Sequence, residues 1–198
     1  MVMEEKKKNI PDQKACSYIT FNTVDWVDVF IRPVYKQIIV DALNSYIVSR
    51  GLIVYAWCLM TNHLHLLARN SEKGGLALIE RDFKRLTTNT ILEAIDAEPD
   101  TRRAWMLNRF EQCSQSLKRL ERFQVWQTCS NPSFIDFKEP FKLKEKVLHI
   151  HENPLRDKIV DKPENYLFSS ATDYAGLKGL VRTTVIDFNE VLRSMIKT

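Results

Sequence analysis

The stretch from Leu52 to Asn70, LIVYAWCLMTNHLHLLARN, constrains the fold more than any other part of the chain. Two apolar runs rich in β-branched and aromatic residues flank the turn-prone pair Thr61-Asn62, a pattern that predicts a β-hairpin. Side chains alternate across a strand, so His63 and His65 share one face. Both strands are apolar on both faces, which puts them in the middle of a sheet. Two imidazoles offered from one face of an interior strand can give two nitrogen ligands to a divalent metal once a third ligand comes from elsewhere in the fold. The same spacing also suits two partly buried histidines hydrogen-bonded to backbone, and spacing alone does not separate the two.

The rest of the chain supplies a frame for that hairpin. CSYITFN, from Cys16 to Asn22, reads as a first strand. Pro33 can open a helix that runs to about Arg50, with Val34, Ile38, Leu43 and Ile47 on one side and Gly51 as its stop. After the hairpin, helical periodicity over 76–97 sets Leu78, Ile79, Phe83, Leu86, Ile91 and Ile95 on one face. Glu98-Pro99-Asp100 breaks it, and a second helical stretch over 101–121 makes 98–121 read as a helical insertion. RFQVWQTC, from Arg122 to Cys129, alternates as a strand would. FIDF, from Phe134 to Phe137, is a short strand or loop. Helical spacing returns from Phe141 to Asn153, with Phe141, Leu143, Val147, Leu148 and Ile150 as burial candidates, and Pro154 stops it. This order predicts an α+β fold, a ferredoxin-like sandwich with an antiparallel sheet.

Length and charge bound the function. A chain of 198 residues allows one domain with an elaboration. Residues 1–15 read as a loosely held tail, 16–176 as the domain and 177–198 as a C-terminal extension. The N-terminal MVMEEKKKN has no apolar segment behind it and no run reaches membrane-spanning length, so a cytoplasmic protein is expected. Cys16, Cys58, Cys113 and Cys129 lack any C-x-x-C pairing and read as packing residues. The net charge of +4 is mild, but Lys84, Arg85, Arg102, Arg103, Arg109, Lys118, Arg119 and Arg122 gather near Trp105, Phe110 and Trp126. Cations for phosphates and flat rings for unstacked bases suit single-stranded nucleic acid, while a solvated helical face over core aromatics gives the same pattern.

The wording YAWCLMTNHLHLL resembles the Asn-His-hydrophobic-His signature of the IS200-like single-tyrosine transposases and their REP-associated relatives. Phe83-Lys84 resembles a basic helix element of that family, and Phe123 to Gln127 its Trp-Gln strand. His149-Ile150-His151-Glu152-Asn153-Pro154 stands where REP-associated relatives read Tyr-Ile-x-x-Asn-Pro, and DKPENYLFSS, from Asp161 to Ser170, is similar to their acidic, aromatic, Ser-Ser tail. The resemblance implies that His63, His65 and Asn153 hold a divalent metal, Mg²⁺ or Mn²⁺. It implies that position 149 carries the nucleophile for transposition-type DNA strand cleavage and joining. It also implies a single-stranded or hairpin DNA partner and a homodimer in which the helix of one subunit meets the histidine pair of the other; the basic and aromatic pattern of the middle third makes Lys84, Arg85, Arg102, Arg103, Arg109 and Trp126 the expected DNA contacts.

Position 149 departs from the pattern, because a histidine occupies the tyrosine's place. Three readings follow. The protein keeps the DNA-binding fold, and with it the metal, but does not cleave, as a non-catalytic regulator would. Or His149 joins His63 and His65 as a third nitrogen ligand, which favours Zn²⁺ or Ni²⁺ over Mg²⁺. Or Tyr166 or Tyr174 supplies the hydroxyl, although Tyr166 better matches the family's structural aromatic position. A metal-dependent hydrolase unrelated to DNA is a more distant alternative. His151 lies roughly 200 degrees round the helix from His149 and reads as a surface or interface histidine.

Overall fold

The computed structural model describes residues 16–71, 75–97, 99–116 and 122–196. The expected tail over 1–15 and the basic residues Lys118 and Arg119 lie outside the described residues. Strands β1 (Cys16–Asn22), β2 (Leu52–Leu59), β3 (His63–Asn70) and β4 (Ser133–Ile135) form one antiparallel sheet in the order β2-β3-β1-β4. Helices α1 (Pro33–Ser49) and α2 (Gly75–Ala97) cover one face of it, as in a ferredoxin-like sandwich. Helix α4 (Pro140–His151) lies on the opposite face and gives the sheet a third layer there.

Local chemistry explains these elements. Pro33 starts α1, where a missing N–H costs nothing, and Gly51 at φ 65° turns the chain into β2. The buried stripe of α1 is Tyr35, Ile39, Val40, Ala42, Leu43 and Tyr46, with Val34, Ile38 and Ile47 at its margins. The apolar face is therefore rotated by about one residue from the expected one. In α2, Ile79, Phe83, Ile91 and Ile95 are buried as the period predicts, while Leu78 and Leu86 are exposed. Helix α3 (Arg103–Ser116) buries Met106 and Phe110 in the same core as α1 and α2, so this helix of the insertion shares the main core.

Strand β3 is interior, but β2 is the edge of the sheet, not its middle. Its apolar outer side is explained by what covers it. The carbonyls of Tyr55, Trp57 and Leu59 accept from the Tyr174 hydroxyl, the Ser170 N–H and the Tyr166 hydroxyl, and the Leu59 N–H donates to the Phe168 carbonyl. Downstream, Thr184 N–H donates to the Val54 carbonyl. The chain from Tyr166 to Thr184 thus satisfies an edge that would otherwise be open.

Two further expectations change. Arg122 to Cys129 is not a sheet strand: its one bridge is Thr23 to Trp126. Helix α4 ends at His151 instead of Asn153, and Asn153 begins the short turn α5 (Asn153–Arg156), in which Pro154 is tolerated in the first turn. Within α4 the buried positions are Leu143, Val147, Ile150 and His151, while Phe141 and Leu148 face solvent. At about 1.5–3 kcal/mol for each fully buried aliphatic side chain, Leu143, Val147 and Ile150 are the principal anchors of α4 on the sheet. All four cysteines are free thiols. Cys16 and Cys58 are buried, Cys113 is half-buried, and Cys129 is exposed, contrary to a packing role. Among the described residues no helix is long and apolar enough to cross a membrane. Short helices α6 (Ala171–Tyr174) and α7 (Phe188–Ile196) complete the chain.

Candidate functional site

The site forms where β3 and β1 face α4. Thr20 pairs with His65 and Asn22 with His63 across the β1–β3 ladder, so Thr20 and His65 stand side by side on the face that α4 covers. The His63 and His65 rings are 4.7 Å apart between centroids, and the His149 ring on α4 lies 5.7 Å from that of His65. Tyr18, two residues before Thr20 on the same strand, stacks on His65 at 5.7 Å and meets His149 edge-on at 6.0 Å. One chain therefore supplies both the strand histidines and the helix residues around them.

The hydrogen bonds assign a role to each ring nitrogen. The Asn62 side-chain oxygen accepts from His63 Nδ1 at 2.8 Å, which leaves His63 Nε2 with its lone pair. His65 Nδ1 lies 3.0 Å from the Tyr18 hydroxyl and 2.9 Å from Thr20 Oγ1. One hydroxyl can donate to that nitrogen and the other can accept from it, so both neutral tautomers of His65 are supported. His65 also interacts with the Asn153 side chain in a way that favours the protonated ring, so the imidazole donates and the amide oxygen accepts. Asn153 is held for this by its own Nδ2, which donates to the His149 carbonyl at 2.8 Å. Burial above all, then the His63 and His149 rings, lowers the His65 pKa to about 3. It is a neutral ligand-type imidazole at any ordinary pH.

His149 is differently placed. Arg156 Nη1 donates to His149 Nδ1 at 3.0 Å, and since a guanidinium only donates, that nitrogen's lone pair is taken and the proton sits on Nε2. Burial first, then Arg156 and Lys146, lowers its pKa. Neither nitrogen is free to bind a metal or to attack phosphorus in this arrangement. Consistently, among the described residues no group of three His, Cys, Asp or Glu side chains is gathered closely enough to hold a metal, so the three-histidine set expected for Zn²⁺ or Ni²⁺ is not formed. Two imidazole Nε2 atoms and the Asn153 amide oxygen are the donors that a divalent ion would need here. Their chemistry is right, since both Nδ1 atoms can be hydrogen-bonded from behind, as metal-binding imidazoles require.

Relocated tyrosines are excluded. The Tyr166 hydroxyl donates to the Leu59 carbonyl at 2.8 Å and the Tyr174 hydroxyl to the Tyr55 carbonyl at 3.0 Å. Burial pushes the Tyr166 phenol up and that of Tyr174 up to about 12. His151 is no surface residue either. It is buried, its Nε2 lies 2.8 Å from Ser170 Oγ, and burial lowers its pKa to about 4.

The expected DNA-binding residues separate. Trp126 is only 3 % exposed, stacked on Phe30 and donating to Thr87 Oγ1, so it cannot stack on a base. Lys84 is likewise enclosed, its ammonium donating to Glu80, the Gln127 and Thr128 carbonyls and Ser130. Arg102 bonds Asp100 and the Asp28 carbonyl, and Arg103 pairs with Asp96. Arg85 and Arg109 are exposed. Exposed aromatic surface is offered instead by Trp26 at 57 % and Trp105 at 47 %. Trp26 sits in a left-handed turn, with Asp25 at φ 48° and Trp26 at φ 54°, and Asn62 Nδ2 donates to its carbonyl. Sequence reading missed Tyr18, Thr20 and Arg156 as well. Tyr18 and Thr20 carry a legible signal, the same two-residue spacing as the histidines they face.

No family model and no curated protein matches the chain in sequence. In structure it is similar to a REP-associated tyrosine transposase bound to a REP hairpin, at 16 % identity and a TM-score of 0.51, covering 94 % of each chain. The likeness supports the fold over nearly the whole chain.

Proposed function

We propose that this is a DNA-binding protein of the IS200-like transposase type, one that takes hairpin or single-stranded DNA at the His63–His65 face but forms no covalent link to it. The observation that supports the reading is the approach of His63 and His65 on β3 to each other and of His65 to Asn153 at the start of α5, in a fold shared with a protein solved on a DNA hairpin. A divalent ion held there by His63, His65 and Asn153 would supply Lewis-acid polarisation of a bound phosphate. Tyr18 and Thr20 hold His65 from behind, and Asn62 does the same for His63.

The nucleophile is what the site lacks. The motif position belongs to His149, whose Nδ1 lone pair is engaged by Arg156. Tyr18 does not replace it, because its hydroxyl is engaged by His65 Nδ1 at 3.0 Å and by Thr20 Oγ1 at 3.3 Å. Burial also raises the Tyr18 pKa, which opposes the phenolate that attack requires. The resemblance implies a site shared between two subunits; within one chain His149 of α4 already stands 5.7 Å from His65.

Labelled hairpin oligonucleotides with Mg²⁺ or Mn²⁺ test the reading. Retarded complexes that dissolve completely in denaturant are expected. An adduct that survives denaturant, or the absence of any complex, overturns it.

A further inference from the structure

Three side chains beside the histidine pair have no part in holding it. Two of them meet on the Tyr18 ring: His149 reaches it edge-on at 6.0 Å, and the Lys146 ammonium stands 5.5 Å over it. Lys146 precedes His149 by three residues on α4, so the two project from adjoining turns of one face. The third, Arg156, arrives from α5 through its bond to His149 Nδ1, and its charge acts on Tyr18, His65 and His149 alike. The cluster lies next to the strand histidines, with 5.7 Å between the His149 and His65 rings.

All three are donors with capacity left. With Nδ1 engaged by Arg156, His149 carries its proton on Nε2, and among the described residues no acceptor is bonded to that N–H. The Lys146 side chain is 27 % exposed, and its carboxylate partner, Glu145, is 3.6 Å away and 70 % exposed, a pairing of the kind worth little. Arg156 gives one N–H to His149 and one to Glu152, and a guanidinium has more to give. Donor count then separates two kinds of phosphate. A phosphodiester within a strand has two free oxygens, whereas a phosphate monoester at a strand end has three and a charge of about −1.5 to −2. If the divalent ion proposed above takes one oxygen, a diester leaves one for these donors. A monoester leaves two, enough for both His149 and Lys146.

We infer that the site takes a DNA end carrying a phosphate monoester, with His149 Nε2–H, the Lys146 ammonium and a remaining Arg156 N–H donating to its oxygens. The inference rests on the proposed DNA binding at the His63–His65 face and names the part of the DNA that enters it. No bond to phosphorus forms or breaks. Anisotropy titrations with one single-stranded sequence bearing a 5′-phosphate, a 3′-phosphate or only hydroxyl ends test it. A phosphate at one end should tighten wild-type binding by about tenfold, as charge-assisted bonds do, and a phosphate at the other end should change it less than twofold, which tells the two kinds of end apart. Lys146→Met keeps an apolar stem on Tyr18, and His149→Leu removes the ring N–H. Each should cut the preference for the phosphorylated strand to threefold or less, while His149→Gln, whose amide still donates, should retain more of it than His149→Leu. The hydroxyl-ended strand reports DNA binding by each variant separately from the preference. Equal affinity for the three strands, or a gain that is the same at both ends and unchanged in Lys146→Met and His149→Leu, overturns the end site while leaving DNA binding intact. Failure of the wild type to bind any strand or a hairpin overturns both.

Discussion

Arg156 donates to the Nδ1 of His149 across 3.0 Å, one turn of chain beyond Asn153. This bond decides the chemistry left at the motif position. A histidine there with a free lone pair would be both a metal ligand and a nucleophile, whereas a histidine capped by a guanidinium is neither. Arg156 is itself steadied by Glu152 at 3.0 Å.

His149→Tyr should therefore convert a binder into a weak cleaving enzyme. A tyrosine at 149 would project from the last turn of α4 towards His65, and a denaturant-resistant adduct with hairpin DNA in Mn²⁺ is expected where wild type gives none. Adduct formation by wild type that Tyr166→Phe or Tyr174→Phe abolishes would show that a buried hydroxyl becomes available, against the bonds seen here.

Tyr18→Phe removes one of the hydroxyls behind His65 and leaves the stacked ring. Loss of such a supporting contact costs about 10–100-fold in metal affinity. Titration calorimetry with Mn²⁺ should show a drop of about tenfold for Tyr18→Phe and no binding for His65→Ala. Equal affinity in wild type and Tyr18→Phe would mean that the hydroxyl does not orient the ring.

The basic residues of the middle third should divide by their surroundings. Arg102→Ala leaves the Asp100 carboxylate, whose side chain is 4 % exposed, without its guanidinium and with the Tyr35 hydroxyl still donating to it, and releases the Asp28 carbonyl. Its main effect should be on stability, a Tm lower by roughly 3–8 °C. Arg85→Ala with Arg109→Ala touches exposed side chains, so Tm should hold while DNA affinity falls and its dependence on salt flattens by about two phosphate contacts. The reverse pattern would reassign both groups.

Acid should weaken the fold through His151. Its folded pKa, lowered to about 4 by burial, lies below the ordinary 6.5. A lowered histidine contributes stability that is complete above pH 6.5 and is lost as pH falls towards 4, up to about 3 kcal/mol. His65, lowered to about 3, works in the same direction. Urea unfolding followed between about pH 7 and pH 5 should show this loss, with a shallower slope in His151→Gln, which can still reach Ser170. An unchanged slope would mean that His151 titrates no differently when folded.

What the sequence determined by itself is local. The hairpin, its two same-face histidines, the proline start and glycine stop of α1, and the periodicity of α2 and α4 all follow from rules that act within a few residues, and each element stands within a few residues of where those rules place it. The antiparallel ferredoxin-like order follows from the element sequence in the same way. Only the tertiary structure decided which groups are buried by non-local neighbours. Trp126 looks like a stacking residue until Phe30 and Thr87 enclose it, and β2 looks interior because the distant chain from Tyr166 to Thr184 covers its edge. His151 reads as exposed by its helical angle until Ser170 meets it from the far side. At position 149 the residue type was legible, but the lone pair that Arg156 takes was not, because hydrogen-bond direction depends on atoms brought together only by folding.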